Sequence, residues 1–284
     1  YKIVYTGKSR TSHGHPTAES LLRGTPSELV ALQLSSNDWY VRHARRRLQE
    51  LAFAGADLRA ATAQLLSIFD THDQITRKLR AMWCLTSINA VNEDWLTQQL
   101  AHPNQHIRLW AVQLLGDQQH PTNQFGLALA QMARNEPSPL VRLFLASAMQ
   151  RLPVAQRWDI ATALTSYSAD VNDRVQPLMI WYGIEAAVSA DSAKALALAR
   201  TTKSPLIRRH ISRLLASQID EAPTHISQLL TAASKSSKST TQDYLKGIAA
   251  ALRGRRKVAA RPAWIPLIQQ HQSETDSDLN DLAN

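Results

Sequence analysis

His13-Gly14-His15 is the pattern in this chain that comes nearest to metal ligation, and it stops at two ligands. Zinc and similar ions need three or four protein donors, and no third one completes this pair nearby. His102 and His106 stand four apart, but Pro103 places His102 outside the helix that His106 would start, so the two do not share a helical face. Gly7-Lys8-Ser9 resembles the end of a phosphate loop, yet the earlier glycine that such a loop requires would fall at Lys2. No His-Glu-x-x-His, Gly-x-Ser-x-Gly or Gly-x-Gly-x-x-Gly occurs. Cys84 is the only cysteine, which excludes an internal disulfide, a four-cysteine zinc site and a Cys-x-x-Cys-His haem attachment within these residues. The residues therefore offer no catalytic, cofactor-binding or metal-binding set.

The elements that would carry any site are helical. Ala, Leu and Gln are abundant and glycines number nine in 284 residues, which favours helix over strand. Hydrophobic residues make up 44%, enough for a core, and no apolar run is long enough to span a membrane. Tyr1, Ile3 and Tyr5 alternate with Lys2 and Val4, so residues 1–8 read as a strand left from an upstream β domain. Residues 9–24 read as a linker, residues 25–272 as a helical-repeat domain, and residues 273–284, with four acids and no Lys or Arg, as an acidic linker or tail. A chain beginning at Tyr1 is expected to be a segment of a longer protein.

Within 25–272 a unit recurs. Val41-Arg42, Thr76-Arg77, Ile107-Arg108, Val141-Arg142, Val175-Gln176 and Ile207-Arg208 fall into one column, with steps of 35, 31, 34, 34 and 32 residues. Four residues before each second member stands Asp38, Asp73, Asn104, Ser138, Asn172 or Ser204, a residue type able to cap a helix N-terminus. A near-constant period of this length marks stacked helix pairs. The expected fold is all-α, a right-handed α-α superhelix of the HEAT or armadillo kind with six to seven pairs. Val41, Ala44, Leu48 and Leu51 make its first core layer.

The arginines remain. As an inter-repeat ladder, Arg42, Arg77, Arg108, Arg142 and Arg208 would each meet an acid of a neighbouring unit. As a basic stripe they would face phosphates or an acidic protein, which the net charge of +9 favours. Arg45, Arg46 and Arg47 have no copy in later repeats, and Arg253, Arg255, Arg256 and Lys257 form a second cluster. The candidate interaction surface is thus Arg42, Arg45, Arg46, Arg47, Arg108, Arg142 and Arg208. Seven tryptophans raise the idea of base stacking, but they share no repeat column, and core packing is expected for them.

Strand Tyr1–Tyr5, His15-Pro16-Thr17, Gly24-Thr25-Pro26, Val30-Ala31-Leu32-Gln33-Leu34 and Asp38-Trp39-Tyr40-Val41-Arg42-His43-Ala44-Arg45-Arg46 together resemble a junction found in large membrane-bound, haem-binding dehydrogenases. In that family a sorbosone- or glucose-dehydrogenase-like β-propeller is followed by HEAT repeats and a cytochrome-c-like domain. The resemblance covers about the first fifth of the chain. It implies an extracytoplasmic parent protein in which this segment spaces or docks flanking propeller and haem c domains, with no family catalytic residue among residues 1–284. Two other readings share the fold: a nucleic-acid-binding repeat similar to HEAT-like DNA glycosylases, and a free-standing protein-interaction adaptor.

Overall fold

The computed structural model describes residues 21, 23–117, 123–255, 258, 262–265 and 267. The expected strand at 1–8, most of the linker at 9–24, His13, His15, Gly7-Lys8-Ser9, Arg256, Lys257 and the acidic segment at 273–284 lie outside the described residues. Those described form fourteen α-helices, joined by turns and short 3-10 segments, and no strand. The helices come in pairs, and the chain divides into two compact units at residues 96 and 97.

The first unit contains α1 (Pro26–Ala31), α2 (Asp38–Phe53), α3 (Arg59–Thr71) and α4 (Ile75–Ser87). Local chemistry sets the start of α1. Thr25 Oγ1 accepts from the Glu28 N–H while the Glu28 carboxylate accepts from the Thr25 N–H at 2.8 Å, and Pro26 supplies a helical φ without an N–H to satisfy. The same contacts hold the Glu28 carboxyl below its ordinary range. Helix α1 stops at Ala31 and continues as a 3-10 turn to Leu34, shorter than the helix to Leu34 that the sequence suggests. Val41, Ala44 and Leu48 of α2 are buried as expected, whereas Leu51 is half-buried. The chain leaves α2 through Gly55 and α4 through Asn89, at φ of 77° and 54°. Both are residue types that tolerate the left-handed conformation ending a helix.

The division falls inside α5 (Glu93–Gln99). The second unit continues with α6 (Gln105–Gly116), α7 (Asn123–Asn135), α8 (Pro139–Ala148), α9 (Arg157–Leu164), α10 (Gln176–Ala190), α11 (Ser192–Thr201), α12 (Pro205–Ser217), α13 (Thr224–Ser234) and α14 (Lys238–Leu252). The second helices of successive pairs, α6, α8, α10, α12 and α14, pack one on the next in a closed layer. The first helices make a looser layer: α9 sits on α7 but barely meets α11. Helix α9 has only eight residues because its first turn is 3-10, through Val154–Gln156.

Close approach in the second-helix layer depends on small residues. A Cβ on Gly247 of α14 would lie 2.5 Å from the Arg209 carbonyl oxygen and 2.6 Å from Ser212 Cβ on α12, so those two backbones touch at the glycine. Buried Ile107, Ala111, Val112 and Leu115 of α6, then Val141, Leu145 and Ala148 of α8, then Ile180, Ile184, Ala187 and Val188 of α10 form the core beneath. Trp110, for which core packing is expected, sits half-buried at its rim with Leu114 and Phe144. The buried stripes run through Leu109, Ala111 and Val112 on α6 and Leu145 and Ala146 on α8, which turns Trp110, Leu114 and Phe144 toward its edge.

Candidate interaction surface

The six second helices from α2 to α12 are entered through the same hydrogen bond, whatever residue makes it. A side chain accepts from the N–H two residues later in six pairs: Ser35 from Asn37, His72 from Gln74, His102 from Asn104, Glu136 from Ser138, Asp173 from Val175 and Thr202 from Ser204, at 2.8–3.1 Å. The receiving residue is in each case the helix N-cap. Capping by Asn104, Ser138 and Ser204 agrees with the sequence column. Elsewhere the column is off by one. Asn37 caps α2, which frees Asp38 to pair with Arg42 and Arg80, and Asp173 rather than Asn172 holds the first N–H groups of α10. Helix α4 has no side-chain cap, so Asp73 does not serve as one.

The arginine column begins on this frame. Arg108 donates Nε and Nη2 to the two Glu136 oxygens at 2.9 and 2.6 Å, and Nη1 to the carbonyls of His102 and Pro103. Arg142, one repeat later, repeats the arrangement with Asp170 at 2.6 and 2.7 Å and with the carbonyls of Glu136 and Pro137. Both guanidiniums thus close the loop of their own pair and grip the carboxylate of the next. The Arg142 side chain is 4% exposed and Asp170 9%, so this pair is desolvated. Asp170 holds the Arg142 guanidinium above its ordinary pKa range, and the Tyr167 ring lies 4.2 Å below it. Arg208 uses a different acid, Asp243 on α14 at 2.8 Å, with carbonyls of Ala199 and Thr202. Arg77 turns back to the Ser35 carbonyl, and Arg80, which the column omits, meets both that carbonyl and Asp38.

Gln176 interrupts the ladder where the next repeat offers Thr202 instead of an acid. Its buried Nε2 has no hydrogen-bond partner, and a cavity of about 10 Å³ lies beside it, lined by Thr165, Tyr167, Asp170 and Ser204. Sequence reasoning also missed Arg157, whose guanidinium donates to the carbonyls of Gln150, Leu152 and Gly183. Burial pushes its pKa below the ordinary arginine value.

Of the seven arginines proposed as a surface, Arg108, Arg142 and Arg208 are therefore withdrawn into structural ion pairs. Their second-helix position faces the neighbouring pair rather than solvent. Of the four on α2, Arg42 and Arg46 are exposed and Arg45 and Arg47 half-buried. Arg42 pairs with Asp38 within its own helix at 2.7 Å, and Arg46 and Arg47 share Glu50. Arg45 lies 5.6 Å over the Trp83 ring. Beside them, Trp39 is 46% exposed and stacked on His43 at 3.9 Å. The other tryptophans are engaged elsewhere: Trp158 and Trp181 are buried, Trp95 leans on Phe69, and Trp181 stacks on His210 at 4.9 Å. A DNA-repairing repeat would need an uncommitted acid, and the buried carboxylates Glu136, Asp170 and Asp243 are each bound to arginine.

A groove of about 750 Å³ opens in the first-helix layer where α9 and α11 part. Gly126, Ala130 and Ala197 give it small-residue walls, Trp158 and Leu198 an apolar floor, and Asp159 and Lys194 opposite charges. No group of three or more His, Cys, Asp or Glu among the described residues could hold a metal ion, and no described helix is long and apolar enough to cross a membrane. No protein-family model matches the chain, and no curated protein matches it significantly.

Proposed function

We propose that this chain is a non-catalytic helical-repeat scaffold of the HEAT kind that spaces or docks neighbouring domains of a larger dehydrogenase-like haem protein. The observation that carries the scaffold reading is the ladder of Arg108–Glu136 and Arg142–Asp170, with the same four-bond geometry one repeat apart. Bidentate pairs fix orientation as well as distance. A carboxylate that accepts from its own cap N–H while gripping the previous pair's arginine, as Glu136 does, locks two repeats in register. Spacing of attached domains needs that kind of rigidity, and chemistry does not.

The redox context is supported by the sequence resemblance over the first fifth of the chain alone. On that reading a propeller domain precedes this segment and a haem c domain follows it, outside the cytoplasm, and both are partners in the same chain. The exposed Arg42 and Arg46 of α2, with the half-buried Arg45 and Arg47 between and beside them, are then the docking face for the upstream neighbour. Two measurements test this. The flanking reading frame should encode a propeller upstream and Cys-x-x-Cys-His downstream; a stop on both sides refutes the domain context. The purified chain should not reduce a dye acceptor with sugars or aldehydes; turnover by the chain alone refutes the scaffold reading. Salt-dependent binding of duplex DNA would favour the nucleic-acid reading instead.

A further inference from the structure

The solvent-facing side of the last two second helices is basic, and most of the cations there are not consumed. On α12, Leu206, Arg209, His210, Arg213 and Ser217 follow one another at helical spacing on the face turned from the core, and Arg213 is exposed. On α14, Gln242, Lys246, Ala249 and Arg253 do the same, with Lys246 and Arg253 exposed. The two faces adjoin, because Gly247, next to Lys246, packs on the backbone of Arg209 and Arg213. Arg209 shares Asp243 with Arg208 and keeps 47% of its side chain exposed. Arg213, Lys246 and Arg253 make no ion pair among the described residues. Nearby carboxylates are few: Asp243 is 7% exposed between two arginines, Asp220 is taken by Arg255 at 2.8 Å, and Glu185 stands across on α10.

The same chain carries a matching anion. Residues 273–284 read Ser-Glu-Thr-Asp-Ser-Asp-Leu-Asn-Asp-Leu-Ala-Asn, four acids and two leucines without a lysine or arginine. Leu267 is 2% exposed, so the chain is tied down seven residues before Glu274. An extended chain covers at most about 3.3–3.6 Å per residue, which lets Glu274 reach about 25 Å from Leu267 and Asp281 about 50 Å. Helix α14, at 1.5 Å per residue, is about 22 Å long. The reach of the tether thus exceeds the length of α14.

We propose that the acidic segment 273–284 docks on the solvent face of α12 and α14, its carboxylates against Arg209, Arg213, Lys246 and Arg253. Leu279 and Leu282 then lie against the apolar parts of that face, such as Ala249 and Leu206. The contact covers the second-helix layer at its last described pair. It is electrostatic and partly exposed, so salt opens it.

The test uses Cys84. It is buried, so a Ser277→Cys variant takes a nitroxide label at residue 277 only. In the isotope-labelled full chain, the spin label is expected to erase amide signals of α12 and α14. The erased signals should return in an Arg213→Glu/Lys246→Glu variant, whose changes are on solvent-exposed positions, and in about 1 M salt, where the screening length falls to about 3 Å. A melting curve checks that the double variant is folded; if it is not, Glu274→Gln/Asp276→Asn/Asp278→Asn/Asp281→Asn, outside the packed helices, replaces it. No signal loss on α12 and α14 overturns the proposal, as does loss that persists in the charge variants. Loss confined to a mixture of spin-labelled unenriched chain with unlabelled enriched chain also overturns it, because the segment then binds a second copy.

Discussion

Removing the Asp170 carboxylate should be one of the most damaging single changes in the second unit, although no ligand is near it. In the folded chain Arg142 has four bonds, two to Asp170 at 2.6 and 2.7 Å and two to loop carbonyls. Asp170→Ala leaves the carbonyls but strands a guanidinium that is 4% exposed. Breaking such a pair from one side costs about 3–5 kcal/mol, because an uncompensated buried charge remains. Stability of whole domains is about 5–15 kcal/mol, so the loss is a large share. Replacing both members by apolar residues, Arg142→Met with Asp170→Leu, should recover most of it, since the desolvation cost of two ions disappears with their attraction. The surface comparison is Arg46→Ala, whose pair with Glu50 is 79% and 46% exposed; it should cost about 0–1 kcal/mol. Urea unfolding of the three variants and the wild type, followed by circular dichroism, gives the comparison. If Asp170→Ala shifts the midpoint no more than Arg46→Ala does, the ladder is not what holds the repeats in register.

Other outcomes follow from single contacts. Gly247→Ala should lower stability by about 1–3 kcal/mol, since its methyl meets backbone atoms that cannot swing aside. Gly183→Ala, which meets the flexible end of Met149 at 2.7 Å, should cost less in the same thermal melts. Cys84, whose thiol burial pushes up to about 12 from an ordinary 9.0, should resist a thiol reagent at pH 8 in the native chain and react fully in urea. Because its folded pKa is the higher one, the unfolded chain alone releases this proton between about pH 9 and 12. Stability should therefore fall across that window, and Cys84→Ala should flatten the fall. Thr25→Ala removes the capping box of α1 and should cost about 1 kcal/mol, seen as faster amide exchange at Glu28 and Leu29.

Much of this fold was legible because a repeat prints its spacing in the sequence. The period located six of the seven second helices, α14 having no member in the column, and the buried positions Val41, Ile107, Val141 and Ile207. Caps were legible where Asn104, Ser138 and Ser204 make the bond, and displaced by a residue at α2 and α10. There a neighbouring Asn37 or Asp173 competes for the same N–H groups, and residue type alone does not decide between adjacent acceptors. The partners of the arginines were hidden for a geometric reason: Glu136 and Asp170 lie 28 residues beyond Arg108 and Arg142, in loops. A signal did exist. Both acids stand six residues before their own repeat's column member, Arg142 and Gln176, and a second column at that offset would have found them. The basic face of α12 and α14 was not legible, since Arg213 and Lys246 become neighbours only when Gly247 lets two backbones meet.

Gln176 gives the second unit a seam. On one side Arg108 and Arg142 tie each pair to the next, on the other Arg208 ties α12 to α14, and between them there is no ion pair among the described residues: the neutral amide leaves apolar packing, two hydrogen bonds from Lys203 to Thr165 and Ser168, and a void of about 10 Å³. A row of dominoes fastened everywhere but at one place comes apart there. Under pulling force or mild denaturant the pairs before and after α10 should separate as two blocks, so the chain yields in a step rather than fraying one helix at a time.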